Sequence, residues 1–388
     1  MHTDADVIIL GGGASGLCCA VACARRGRRV LVLEHGGKAA RKVLASGGGR
    51  CNCTNVDAGA ADYRCANPHF VKSALARFSP ADFLEWIHGG GVVTQEEAGG
   101  KVFCQAGALA LARFLLAEAQ VAGARVVLGA KVQSARKDGE FFVVDTDAGP
   151  MRSTSLVLAL GGKSWPALGA TDFGYALARG FGLGVTELRP GLTPLLAPPE
   201  LAGFCRELAG VSLPVRISGP CEVGGELLFT HKGISGPVVL DASLFWRKGE
   251  TLAIDLLPGV ELEAALADAG RLDIKNALAR HLPKRLAAGL CQRLGLTGPV
   301  AGVPKKALRE LAAQIAAFPF LPAKAEGYAK AEVTLGGVDT AAISSKTLEA
   351  TKRSGLYVIG ELLDVTGRLG GFNLHWAWAS GFAAGANA

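Results

Sequence analysis

The sequence holds ten cysteines but no C-x-x-C pair. Their positions are irregular: Cys18, Cys19, Cys23, Cys51, Cys53, Cys65, Cys104, Cys205, Cys221 and Cys291. That argues against a zinc ribbon, a thioredoxin-type pair and the disulfide reductases. Cys18, Cys19 and Cys23 read as small core residues on a helix. Cys51 and Cys53 have no signposted His or Cys partners, so no metal is expected. No apolar run approaches the roughly 18 residues that a membrane span needs. No secretory signal opens the chain, because "MHTDADVIILGGG" runs straight into a strand and a glycine turn. A reduced, cytoplasmic protein without membrane contact is therefore expected. Charged residues are sparse, 19% against 49% hydrophobic, which leaves ample core and excludes wholesale disorder. The 53 glycines lack a Gly-X-Y period, so they mark tight turns rather than collagen. Only one dinucleotide motif is present, so a nicotinamide donor would have to dock transiently.

What is present starts at Val7. Val7 to Leu10 is an unbroken apolar run, suited to a strand buried on both faces. Gly11, Gly13 and Gly16 spell G-x-G-x-x-G, and Ala14 and Ser15 open a helix that ends in Arg25 and Arg26. Val30 to Leu33 is a second apolar strand, closed by Glu34 18 residues after Gly16. The first glycine permits the turn, the second lets a pyrophosphate approach, and the third lets helix and strand pack closely. Free N–H groups and the helix dipole hold the phosphates. Glu34 can accept both ribose hydroxyls.

NAD and FAD enzymes share this opening, and the next stretch separates them. "HGGKAARKVLASGGGRCNCTN" carries Arg41 and Lys42, then Ser46, Gly47, Gly48 and Arg50. A second anion-friendly loop so soon after the first suits a cofactor spread across the domain, as FAD is in glutathione-reductase-like folds. Arg50 either supplies charge there or anchors the loop. Cys51 follows it as a candidate proton donor, with a packed loop thiol as the alternative. The far end returns to the same place. Leu356 to Ile359 is a short strand, followed by Gly360, Glu361 and Asp364; Gly371, Phe372 and Asn373 then open a final helix. The start of that helix can point N–H groups at the pyrimidine edge of a reduced flavin.

Between the ends, residues 125–161 read as strands, the last reaching Gly161. Residues 190–256 hold short strands and seven of the 17 prolines. His231 lies there with Gly233, Ser235 and Gly236, a candidate site residue or a structural turn. Residues 258–317 turn helical. From Arg271 to Arg309 there are nine Lys or Arg and one acid, Asp273, a local excess of +8 in a chain of net +7. That is a solvated face or a footprint for an acidic partner, RNA foremost. No aromatic platform for single strands interleaves it.

Six segments, "VIILGGGASGL", "RKVLASGGGRCNCTN", "LVLALGGKSWPALGATDFGY", "THKGISGPVVL", "LPKRL" and the stretch from "AEVTLGGVDT" to "WASGFAAG", resemble BaiN/RdsA-type bacterial NAD(P)/FAD-dependent flavoproteins in order along nearly the whole chain. The resemblance implies an α/β fold: a glutathione-reductase-like FAD-binding Rossmann domain from 1–190 and 330–388. A β-rich substrate-side domain (191–257 and 318–329) and a small basic helical domain (258–317) are inserted. It also implies that backbone near Val132 edges the adenine. Departures are Cys53 at a usually apolar position, Cys104 for a proline, Leu160 for a Thr, Phe372 for a Tyr and His375 for a Gln. "TLEAT" stands for a TMESK-like stretch. Phe372 and His375 would lie close to the flavin, and His375 joins Cys51 and His231 as a catalytic candidate. The implied activity is FAD-dependent, NAD(P)H-driven hydride transfer to or from a C–C double bond, with a uracil of ribosomal RNA as one substrate. A small-molecule flavin reductase or oxidase acting on a steroid or an amine stays open. So does a flavin-loaded RNA-binding protein without turnover.

Overall fold

The computed structural model describes residues 3–267 and 269–388. The apolar runs become five strands: β1 (Val7–Leu10), β2 (Val30–Glu34), β3 (Arg125–Leu128), β4 (Ser155–Leu158) and β5 (Leu356–Val358). They form one sheet in the order β5-β4-β1-β2-β3, and every pair is parallel. Val7 pairs with Val30 on one side and Ser155 on the other. β1 and β2 are buried along their full length, as parallel strands covered on both faces must be. Strand order reverses at β1, so the carboxyl ends of β1 and β4 flank the place where open α/β sheets bind ligands.

Helix α1 (Ala14–Arg25) follows β1, and helix α2 (Phe372–Gly385) ends the chain. The two pack at a distance only glycine allows. A Cβ on Gly381 would stand 2.5 Å from the Ser15 carbonyl oxygen, and one on Gly385 would stand 2.7 Å from that of Cys19. α2 is apolar nearly all round and buried accordingly, with Trp378 stacked on Phe83 at 5.2 Å. Cys18, Cys19 and Cys23 are fully buried on α1. Residues 132–153 form a three-stranded antiparallel meander, with Val132 at its head opposite Thr146.

The chain divides into two compact units, Met1–Arg189 with Val333–Ala388, and Pro190–Glu332. The second unit holds a seven-stranded antiparallel sheet that takes strands from both sides of the helical segment, including Leu252–Asp255 and Phe318–Phe320. Strands and helices close one core, in which Ile254 and Phe318 of the sheet lie with Leu286, Leu290 and Ile315 of the helices. Short helices with a single apolar stripe must bury it against another layer, and the sheet is that layer. The helical segment is thus part of the second unit rather than a unit of its own. Among the described residues no helix is long and apolar enough to cross a membrane.

Candidate functional site

The glycines after β1 divide by what they face. A Cβ on Gly11, whose φ is 110°, would stand 2.4 Å from the Ala159 carbonyl oxygen. One on Gly16 would stand 2.0 Å from that of Gly11. These two positions are closed by the fold itself. A Cβ on Gly13 would meet no atom within 4 Å. α1 starts at Ala14 with no side-chain cap and no acid in its first turn. The N–H groups of Ala14, Ser15 and Gly16 therefore lack helical acceptors. Open space beside Gly13, free donors and the positive end of a helix dipole fit a pyrophosphate. At the end of β2 the Glu34 carboxylate is buried and oriented by backbone. It accepts from Gly12 N–H at 2.9 Å and Gly36 N–H at 2.7 Å, and Arg41 Nη2 lies 3.3 Å away.

A second network joins the ends of β4 and β5. Lys42 Nζ donates to Glu361 Oε2 at 2.8 Å and to Ser164 Oγ at 2.9 Å. Glu361 Oε1 accepts from Ser164 Oγ at 3.0 Å and from Thr334 N–H at 2.9 Å. Gly161 (φ 69°) and Gly360 (φ 68°) turn beside it, and a Cβ on Gly360 would stand 2.6 Å from Ser15 Oγ. Lys42, Ser15, Gly161, Gly360 and Glu361, drawn from distant parts of the sequence, thus gather at one edge of the sheet. Ser164 and Thr334 complete this network, and Arg41, which the sequence marks only as half of a basic pair, lies against Glu34. Their partners lie far away or, for Arg41, on a side chain whose direction the pattern does not state.

The glycine loop Ser46–Gly49 is one tight turn with Gly47, Gly48 and Gly49 all left-handed. Ser46 Oγ donates to the Val43 carbonyl at 2.7 Å, and Cys51 N–H closes the turn onto the Ser46 carbonyl at 3.1 Å. Gly48 and Gly49 face open space. Arg50 anchors the loop: it pairs with Glu97 and lies 4.2 Å above the Phe103 ring. Non-glycine residues in left-handed conformation stand just before and just after the segment, Ala40 (φ 56°) and Cys51 (φ 55°). Cys51 and Cys53 are fully buried against Cys104. Hydrogen bonds with Cys104, then burial, push both thiols up, while the same bonds pull Cys104 down.

At the start of α2, Gly371 (φ 98°) passes so close to Thr54 that a Cβ would stand 2.3 Å from its carbonyl oxygen. Asn373 braces the preceding loop, accepting from Gly367 N–H and donating to the Gly367 carbonyl, both at 2.8 Å. The Phe372 carbonyl accepts from Tyr63 OH at 2.9 Å. Asp364 bonds to Thr186 Oγ1 at 3.1 Å, and burial raises its pKa. His375 is fully buried, with Nδ1 3.0 Å from Thr54 Oγ1 and no protein partner at Nε2 among the described residues. Burial lowers its pKa to about 4, so the ring is neutral. His231 sits on an exposed turn of the other unit, where Thr230 Oγ1 accepts from the Gly233 N–H at 3.1 Å.

Glycines closed by packing at 11 and 16 and open at 13 are what a dinucleotide cradle requires, and a model described as HI0933-like protein Rossmann domain matches residues 5–387. The chain belongs to this family. It is 42% identical over 391 residues to the ribosomal RNA dihydrouridine synthase of Escherichia coli, covering 97% of this chain and 96% of that protein. It is 33% identical to the 3-dehydro-bile acid delta(4,6)-reductase of Clostridium scindens, covering 97% of each. Among solved structures it is similar to the 3-ketosteroid-delta4-(5alpha)-dehydrogenase of Rhodococcus jostii. There the TM-score is 0.50 at 14% identity, over 99% of this chain and 98% of that one, a likeness of fold. The HI0933-like chain thus has the FAD-binding Rossmann fold and is an oxidoreductase.

Proposed function

We propose that this HI0933-like protein binds FAD and reduces a C–C double bond in a uracil of ribosomal RNA, with NAD(P)H as a transient donor and the cytoplasm as its place of work. The observation that carries the proposal is the 42% identity to a ribosomal RNA dihydrouridine synthase, which runs through the insert as well as the Rossmann unit. Dihydrouridine is uridine reduced at one ring double bond, so two electrons and two protons must arrive. FAD, when bound and reduced by NAD(P)H, would supply the hydride, which carries both electrons and one proton, and the second proton would come from solvent. The residues of this chain bind and orient. Ala14, Ser15 and Gly16 donate N–H groups to the pyrophosphate, and Glu34 receives the ribose hydroxyls. Gly48 and Gly49, which face open space, let the cofactor approach bare backbone, while Gly47 is closed by the Asn52 backbone and shapes the turn. Lys42 and Glu361 tie the glycine loop to the end of β5. The first turn of α2, from Phe372 and Asn373, directs N–H groups toward the flavin pyrimidine. The basic helices of the insert meet the RNA.

The test compares ribosomal RNA nucleosides from cells with and without the gene, then restores the modification with purified protein, NADPH and unmodified RNA. Loss and restoration of a dihydrouridine are expected. Unchanged nucleosides, with turnover of a Δ4-3-ketosteroid, would transfer the assignment to small-molecule reduction, the reading favoured by the 33% identity to the bile acid reductase.

A further inference from the structure

The nine cations between Arg271 and Arg309 are all exposed. Outside this window the charges sum to −1, from 32 cations (41 less nine) and 33 acids (34 less one). The single acid inside it, Asp273, is taken up by a cap: its Oδ1 accepts from the Lys275 N–H at 3.1 Å. Two of the nine have tasks in the fold. Arg285 donates to the carbonyls of Glu207 and Ala209 at the end of helix Pro199–Glu207. Arg293 lies 6.0 Å above the Phe318 ring. Among the described residues, the side chains of Arg271, Lys275, Arg280, Lys284, Lys305, Lys306 and Arg309 make no ion pair.

Three of these sit where the fold would prefer the opposite charge. Lys284 is the first residue of helix Lys284–Leu294; Lys305 and Lys306 are the first two of helix Lys305–Ala316. Cations there oppose the helix dipole, and carboxylates would be stabilising. Helix stability therefore does not account for them. Lys305, Lys306 and Arg309 fall within about 100° of helical arc, away from the buried Leu311 and Ile315. Glu310 borders that arc, and Glu261, Glu263 and Asp268 precede the window in the sequence. From residue 258 to 317 there is no Phe, Trp or Tyr. Such a surface can hold phosphates but offers no aromatic ring on which to stack bases.

On the RNA-modifying function proposed above, we infer that this face docks the sugar–phosphate backbone of base-paired RNA without reading its sequence. Choice of the base is left to the cofactor site. Two strands together present more phosphates per unit length than one, and paired bases need no aromatic partner.

The test uses the full-length, FAD-loaded triple variant Lys284→Glu, Lys305→Glu, Lys306→Glu. Its probes are an RNA duplex of arbitrary sequence and a single strand with the same number of phosphates. The parent should prefer the duplex and ignore its sequence. In the variant, duplex affinity should fall and the log–log salt slope should flatten by roughly 2 to 3, at about 0.7–0.9 per lost contact. Flavin content and reduction by NADPH should not change. The melting midpoint should hold or rise, because carboxylates suit helix starts. Duplex binding by the variant with parental affinity and slope would overturn the inference. A parent that prefers the single strand, or binds polyglutamate as tightly as RNA, would do the same, as would a variant of lowered midpoint. The two proposals fail separately. Unchanged nucleosides in cells lacking the protein would sink the RNA function; full modification in cells carrying only the triple variant would sink the docking face.

Discussion

Gly13 and Gly16 belong to one motif and do opposite jobs. Gly13 has φ of −85°, which alanine adopts freely, and an added Cβ would meet nothing within 4 Å. Gly13→Ala should therefore fold with a near-parental melting midpoint yet lose flavin, read as flavin absorbance per mole of protein. Gly16→Ala should lose stability instead, on the order of 1–3 kcal/mol or more, because its Cβ overlaps backbone. His375 makes a prediction in pH. Its unfolded imidazole takes a proton below about pH 6.5, the buried one only below about 4. Between those values the unfolded state holds more protons. Stability fully present above pH 6.5 is lost as pH falls toward 4, on the order of 2–3 kcal/mol. His375→Gln should remove that part of the slope in urea unfolding at a series of pH values. Cys51 is buried and its thiol stays protonated at neutral pH. Cys51→Ala is expected to keep its turnover; lost turnover with normal flavin content would put the thiol in the mechanism.

Among the elements, the short segment Arg41–Ala45 and the turn after β5 are held together by Lys42 and Glu361, 319 residues apart. That contact also engages Ser164 and the Thr334 backbone. Glu361→Gln leaves Lys42 without its counter-charge and weakens the tie between the glycine loop and the sheet. We expect about tenfold weaker FAD binding by the apoprotein, the loss of one charged hydrogen bond, in a flavin titration. The parallel sheet should stay intact by circular dichroism, since no strand pairing depends on this carboxylate. Undiminished FAD affinity would remove the network from cofactor binding.

For the whole molecule, a ligand that binds only the folded state must raise its stability by mass action. FAD at about 100 times its dissociation constant should add about 2.7 kcal/mol, seen as a saturable rise in melting midpoint. NAD at the same concentration should not match it. No shift with FAD would contradict the cradle built from Gly13 and the open start of α1. Because the second unit has a core of its own, its basic surface can be altered without touching that cradle, which is why flavin content serves as a control for the docking test.

Local pattern is enough for β1, α1, β2 and Glu34, because each depends on neighbours a few residues away: an apolar run, a glycine spacing, a helix, a closing acid. It does not by itself assign both ends of the chain to the Rossmann unit: the family resemblance implies it, and β5 from the far end lies beside β4 in the parallel sheet. The sequence left two directions open for Arg50, and tertiary structure chose the anchor, because Glu97 lies 47 residues on and Phe103 is brought alongside only by strand pairing. It could not show that Cys104 reaches Cys51 and Cys53, or that His375 is sealed in against Thr54, 321 residues away. Nor could it show that strands and helices of the insert share one core. A side chain's direction depends on which distant element packs against it, and that information resides in long-range register rather than in local pattern.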